Sequence, residues 1–326
     1  MLWYDYLQNY KMQTPQSSVG SFAGSCLLKV PAVSPPYYNS FEAQTIVDFL
    51  KGHFECVDEH FIASMNREFY FRFLEQYTDT NTNELGEAEL RTEVSENPGE
   101  WALKMIEEVK TFVMLTLKCL IHYYGGVVAK MMSEKPGEMY DLVLEIVFNQ
   151  SLSNLLVKVF SQCASESEAK YQEKLQEYSY LKCNDLGIGK LFQLDLDKET
   201  PAYSKAIQRL KQIENSYSPL EKLKVIIAST RLICECVDDY WRDSEEDKSD
   251  ELMIDADQIL SIFLYIVFKA RISNLKSHLR VIFEFGRRMV QHGAMGYYVT
   301  TLEACIEQVE TMSPQLLEKI QNYYSN

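Results

Sequence analysis

Residues 255–270 read DADQILSIFLYIVFKA. Leu260, Phe263, Leu264 and Val267 form one stripe at three-and-four spacing, and Ile259, Ile262, Ile266 and Ala270 form a second. A helix that is apolar on two faces is buried on most sides, so this stretch predicts the central helix of an all-α protein. Asp255 and Gln258 stand at D-x-x-Q spacing, which makes Asp255 the natural N-cap. Asp257 then falls in the first turn. The residues alone leave it two readings. It is an acid that favours the helix dipole, a contribution of roughly 0.3–1 kcal/mol, or it is a charge presented to a partner from the exposed end of a rigid element.

The flanking stretches carry the same helical signature. SPLEKLKVIIASTRLICECVDDYW (218–241) opens with Ser218 as N-cap, Pro219 in the first turn and Glu221 completing an S-x-x-E capping box. A further helix is expected over 276–291, and another after Gly296. In the latter, Tyr298, Leu302, Cys305, Ile306 and Val309 share one face and are expected to pack inward. Tyr297, Thr300 and Ala304 fall on the opposite face, where a tyrosine beside a small residue reads as a binding anchor.

Upstream, 139–160 reads as one helix, 165–181 as a more solvated one, 183–195 as a connector and 206–214 as a helix. Residues 41–77 form one long helix, or two with a break near Gly52, and 101–132 form another. The acidic, polar stretch 78–100 reads as a loop. Residues 1–40 lack a clear period, with Ser25–Val30 as a short strand. The tail 313–324 holds a last short helix. The implied organisation is an irregular segment over 1–40, a helical bundle over 41–135, a second helical domain over 136–312 and a tail over 313–326.

The composition narrows the function. Thirteen Gly and nine Pro in 326 residues, with 46% hydrophobic side chains, favour helices around an ample core. A net charge of −15 disfavours nucleic acid and anionic lipid, whose affinity rests on Lys and Arg, and suits a partner with a basic patch. The beginning lacks the pattern of a secretory signal, and the longest apolar run, 259–268, is about half a membrane span. A soluble protein is expected. The eight cysteines contain no C-x-x-C and lie in apolar helical patterns, as expected of reduced core thiols.

Active-site chemistry finds little support. His53 and His60 are seven residues apart without a third ligand, and His122 and His278 lie in apolar patterns. GIGK (187–190) lacks the rest of a phosphate-binding loop. Residues 79–90 fail as a calcium loop, with Glu84 where Gly is needed and Leu90 where Glu is needed. No metal site and no cofactor is expected. Phe69, Tyr70, Phe71 and Phe73 are expected in the core of the first bundle.

Four blocks in order, SPLEKL (218–223), ADQILSIFLYIVFKA (256–270), NLKSHL (274–279) and GYYVTTLEA (296–304), resemble those of the vacuolar protein sorting nine (Vps-nine) family. The resemblance covers about 139–310 and makes 136–312 a Vps-nine-type domain. The amino-terminal part is similar to the segment before this domain in an ankyrin-repeat member, although no ankyrin repeats occur here. The family's members are guanine-nucleotide exchange domains for endosomal Rab GTPases of the Rab-five subfamily.

The resemblance thus implies such a GTPase as partner, a cytoplasmic protein recruited to endosomal membranes through its partners, and no cofactor. It matches Asp257 to the family's functional acid, directed at the P-loop lysine and Mg²⁺ site of the GTPase. It matches Tyr297 and Thr300 to the family's G-Y-Y-x-T contacts, with Ala304 on the same face. Departures stand at Ser261, where the family has Pro, at His278, where it often has Asn, and at Ala294 in the segment where it has a Glu. They leave room for an altered GTPase preference or a weak exchanger, and the missing Pro and Glu feed the rival reading of a non-catalytic GTPase-binding adaptor. A helical scaffold that binds something else through its acidic surface and aromatic-rich first bundle is a second rival.

Overall fold

The computed structural model describes residues 61–82, 88–124, 133, 136–194, 201–242, 252–291 and 293–324. The part 41–60 of the helix expected over 41–77, the strand over 25–30, His53, His60, Cys26 and Cys56 lie outside them. The described chain is helical, as its periodicity predicts. It runs α1 (Phe61–Tyr77), a hairpin of β1 (Thr78–Thr82) and β2 (Ala88–Leu90), α2 (Thr92–Glu96), α3 (Pro98–Tyr124), α4 (Pro136–Val147), α5 (Gln150–Cys163) and α6 (Ser165–Glu177). Two 3₁₀ turns, Cys183–Leu186 and Lys190–Phe192, then lead to α7 (Ser204–Lys211). There follow α8 (Pro219–Trp241), α9 (Ala256–Ala270), α10 (Leu275–Phe285), α11 (Arg287–Val290), α12 (Gly293–Glu310) and α13 (Pro314–Tyr324). Among the described residues no single helix is long and apolar enough to cross a membrane.

The chain divides into two compact units. Among the described residues, one takes 61–73 and those within 111–147, the other those within 74–110 and 148–324. In the first, the Phe69 ring stacks on Phe112 at 3.8 Å between centroids, and Tyr70 donates to the Val147 carbonyl. Phe69 and Phe73 are buried as expected, whereas Phe71 is 65% exposed, because a residue two positions along a helix from Phe69 points away from its face.

The second unit is built around α9. Its side chains from Ser261 to Phe268 are all buried, and it packs against α7 and α12. The two apolar stripes therefore do what their spacing predicts. Ser261 is buried within it, and α9 runs unbroken over 15 residues. At its far end Arg271 adopts a left-handed conformation, φ 53°, and its N–H donates to the Val267 carbonyl, ending the helix.

Three local expectations need correction. The stretch 139–160 is not one helix: α4 ends at Val147, and the Asn149 side chain accepts from the Leu152 N–H at 2.9 Å to start α5. The stretch 78–100 is not all loop. Threonine-rich β1 pairs antiparallel with β2 from Thr78–Leu90 to Thr82–Ala88, and α2 and the start of α3 follow. The stretch 276–291 divides at Gly286 into α10 and α11.

Candidate functional site

The first turn of α9 is fixed by its cap. Asp255 Oδ1 accepts the Gln258 N–H at 2.8 Å, from a residue in extended conformation, as the D-x-x-Q spacing predicts. Asp257, one position into the helix from Ala256, is exposed and does not cap. The two acids therefore divide: one stabilises the helix start, the other is left for solvent or a partner.

The neighbouring α12 is set by glycine and packing. Gly293 opens it at φ +80°, which a side chain rarely tolerates. Gly296 is buried, and a Cβ there would stand 2.3 Å from the Val290 carbonyl oxygen, so only glycine allows this approach to the end of α11. Leu302, Cys305, Ile306 and Val309 are fully or nearly fully buried, and Tyr298 is half-buried against the same core. Tyr297, Thr300 and Ala304 are exposed, as the opposite face predicts. The Thr300 hydroxyl lies 3.0 Å from both the Gly296 and Tyr297 carbonyl oxygens, so its methyl and Cβ are held in one orientation. The Tyr297 ring meets Tyr298 edge-on at 5.5 Å.

The two helices are pinned together inside. The Cys305 thiol donates to the Leu260 carbonyl at 3.6 Å, and complete burial pushes its pKa up, which keeps it a neutral thiol. Between the end of α8, the segment 252–256 and the start of α12 lies a cleft of about 450 Å³. Val237, Met253, Ile259, Tyr297 and Tyr298 supply its apolar lining, and Asp238 and Asp255 its acids. Met253 is 82% exposed at this edge. Asp257 is not among the lining residues. Cys234 is, and it is exposed, which corrects the expectation that the cysteines are core thiols. Cys183 and Cys305 fit that expectation.

Toward the start of α8, at the opposite end of that helix from its cleft-lining residues, sits a buried cation that residue type alone does not disclose. Lys222, in the first turn of α8, is fully buried. Its ammonium donates to the carbonyls of Ile213 (3.2 Å) and Ser216, and meets His278 Nδ1 at 2.9 Å. That contact needs an unprotonated Nδ1, so the imidazole is neutral with its proton on Nε2. Burial lowers the Lys222 pKa to about 8. Burial first, and then the Lys222 charge, lower that of His278 to about 3. Lys222 lies at four-residue spacing from Ile226 and Thr230, on the stripe that turns inward, and that spacing is the signal in the sequence. Among the described residues no group of His, Cys, Asp and Glu is arranged to hold a metal ion.

Comparison with known proteins matches this same segment. The family model of the vacuolar sorting protein 9 (VPS9) domain matches residues 203–314, which include α7 to α12 and both exposed faces. Residues 203–314 belong to the VPS9 domain family. Human alsin is 32% identical over 108 residues, which is 33% of this chain and 6% of alsin. The alsin homolog of Drosophila melanogaster is 22% identical over 180 residues, 53% of this chain and 12% of the relative. Human VPS9 domain-containing protein 1 is 28% identical over 116 residues, 34% of this chain and 18% of that protein. The chain thus matches less than a fifth of the length of each of these relatives.

Proposed function

We propose that this protein is a guanine-nucleotide exchange factor for a Rab GTPase of the endosomal Rab-five subfamily, working from the cytoplasm at endosomal membranes to which its partners recruit it. The exchange domain is taken as 136–312. The observation that carries this reading is the pairing of an exposed first-turn acid, Asp257, on a buried helix with the exposed Tyr297, Thr300 and Ala304 of the helix packed against it, all within the VPS9 segment.

A small GTPase that binds its nucleotide with picomolar affinity holds it by about −16 kcal/mol. Its P-loop lysine and Mg²⁺ cage the phosphates. Asp257 competes for that lysine, and Tyr297, Thr300 and Ala304 grip the switch region. One charge-assisted contact of ~1.5–3 kcal/mol lowers the release barrier enough for roughly ten- to more than a hundredfold acceleration. No covalent step is involved, and the Mg²⁺ belongs to the GTPase.

The test is GDP release from a panel of endosomal Rabs with wild type and Asp257→Ala. Strong acceleration of one Rab by wild type, its loss in the variant and an unchanged melting temperature are expected. Equal release by the two proteins ends this mechanism. A capture experiment separates the adaptor reading that the changes at Ser261, His278 and Ala294 leave open: an exchanger prefers the nucleotide-free GTPase, an adaptor the GTP-loaded form.

A further inference from the structure

We infer that Gln258 is a positioning residue for Asp257, holding the first turn of α9 against the connector that precedes the VPS9 segment; the inference rests on the exchange reading above. The Gln258 side-chain Oε1 accepts the Gly189 N–H at 2.8 Å, across 69 residues of sequence. Its backbone N–H at the same time donates to the Asp255 cap. The residue next to Asp257 is therefore tied at both its main chain and its side chain.

The connector it grips is itself held from several directions. Trp241 Nε1 donates to the Leu191 carbonyl (2.9 Å), the Tyr203 hydroxyl to the Phe192 carbonyl (2.6 Å), and Gln193 Nε2 to the Ile188 carbonyl (2.7 Å). Ile188 and Phe192 are buried in the same core as α9. A Cβ at Gly189 would stand 3.4 Å from Gln258 Oε1, an ordinary van der Waals contact, so the position also admits a small substituent.

Helix starts are where helices fray, since the first four N–H groups have no intrahelical partner. A carboxylate that must press on another molecule's lysine loses effect when its own turn opens. A small misplacement at such a site costs rate rather than binding. Gln258 anchors that turn to the fixed connector, so its loss acts on the step Asp257 performs.

The experiment follows release of a fluorescent GDP from a Rab-five subfamily GTPase against increasing concentration of the full chain. Gln258→Met keeps the length of the side chain and deletes the acceptor. It is expected to lower the maximal release rate about fivefold, the weight of one neutral hydrogen bond, with the half-saturating concentration unchanged. Gln258→Glu keeps an acceptor oxygen at the same reach and restores the rate. In a background of Asp257→Ala, Gln258→Met makes no further difference, because the group it positions is gone. Amide hydrogen exchange over 256–259 speeds up in Gln258→Met and not in Gln258→Glu.

Wild-type maximal rate in Gln258→Met overturns the inference, as do an additive loss in the double variant and unchanged amide protection. Should Gln258→Met fold poorly, Gly189→Pro deletes the donor instead, at a residue whose φ of −60° suits proline, with the same outcomes expected. Asp257→Ala with wild-type exchange overturns the exchange reading and this inference together. Loss in Asp257→Ala with none in Gln258→Met overturns this inference alone.

Discussion

The Lys222–His278 contact makes the stability of the VPS9 segment depend on pH in a way that one substitution removes. In the folded protein His278 is held neutral down to about pH 3, whereas in the unfolded chain it takes up a proton near pH 6.5. Between those values the unfolded state binds more protons, so stability rises with pH and is lost as pH falls below 6.5. A lone imidazole with these two values loses about 2 kcal/mol of folding stability between pH 7 and pH 5, and about 1.4 kcal/mol for each further unit. Lys222, with a folded pKa of about 8, stays charged in both states over this range and does not contribute.

Glu168 acts in the opposite sense: burial raises its pKa, so its protonated form favours folding as pH falls. The total slope therefore mixes the two, and the comparison that isolates His278 is with His278→Asn. Asparagine offers Lys222 an oxygen acceptor and does not titrate. Denaturant unfolding of both proteins at pH 7 and pH 5 is expected to show the wild type losing about 2 kcal/mol more than the variant over that interval. Parallel pH profiles for the two proteins would refute the assignment of a neutral, buried imidazole at 278.

The remaining expectations concern the helices of the site. Asp255→Ala removes the cap and is expected to cost about 1 kcal/mol in denaturant unfolding. Gly296→Ala forces a Cβ against the Val290 carbonyl and is expected to destabilise by about 1–3 kcal/mol, seen as an earlier thermal melt. Tyr297→Ala is expected to weaken capture of the nucleotide-free GTPase with little change in melting temperature. Tyr298→Ala, which removes packing from the core, is expected to lower the melting temperature first; the reverse pattern would contradict the assignment of faces.

What the sequence made legible is what repeats at helical spacing or sits a few residues apart. The burial of α9, the Asp255 cap, the Ser218–Glu221 box and the two faces of α12 all follow from local pattern, and the structure has them. The break at Asn149 does not, because Leu142, Ile146, Leu152, Leu156 and Val159 keep apolar spacing on both sides of it and a polar residue there also suits an exposed helix face.

The hairpin at 78–90 was hidden because its strands are short and polar, with pairing rather than hydrophobic alternation defining them. The Lys222–His278 and Gln258–Gly189 contacts span 56 and 69 residues. A lysine reads as a surface residue and GIGK as a failed phosphate loop until the fold brings each to its partner.

The separation of Asp255 from Asp257 has an evolutionary consequence. Because Asp255 caps the helix and Asp257 is exposed without capping it, position 257 is free to drift while the scaffold stays intact. A descendant that lost the second acid would still fold and present the same tyrosine-bearing face. On the exchange reading proposed above, silent relatives of an active ancestor are thus one substitution away, and they would be indistinguishable from it by shape.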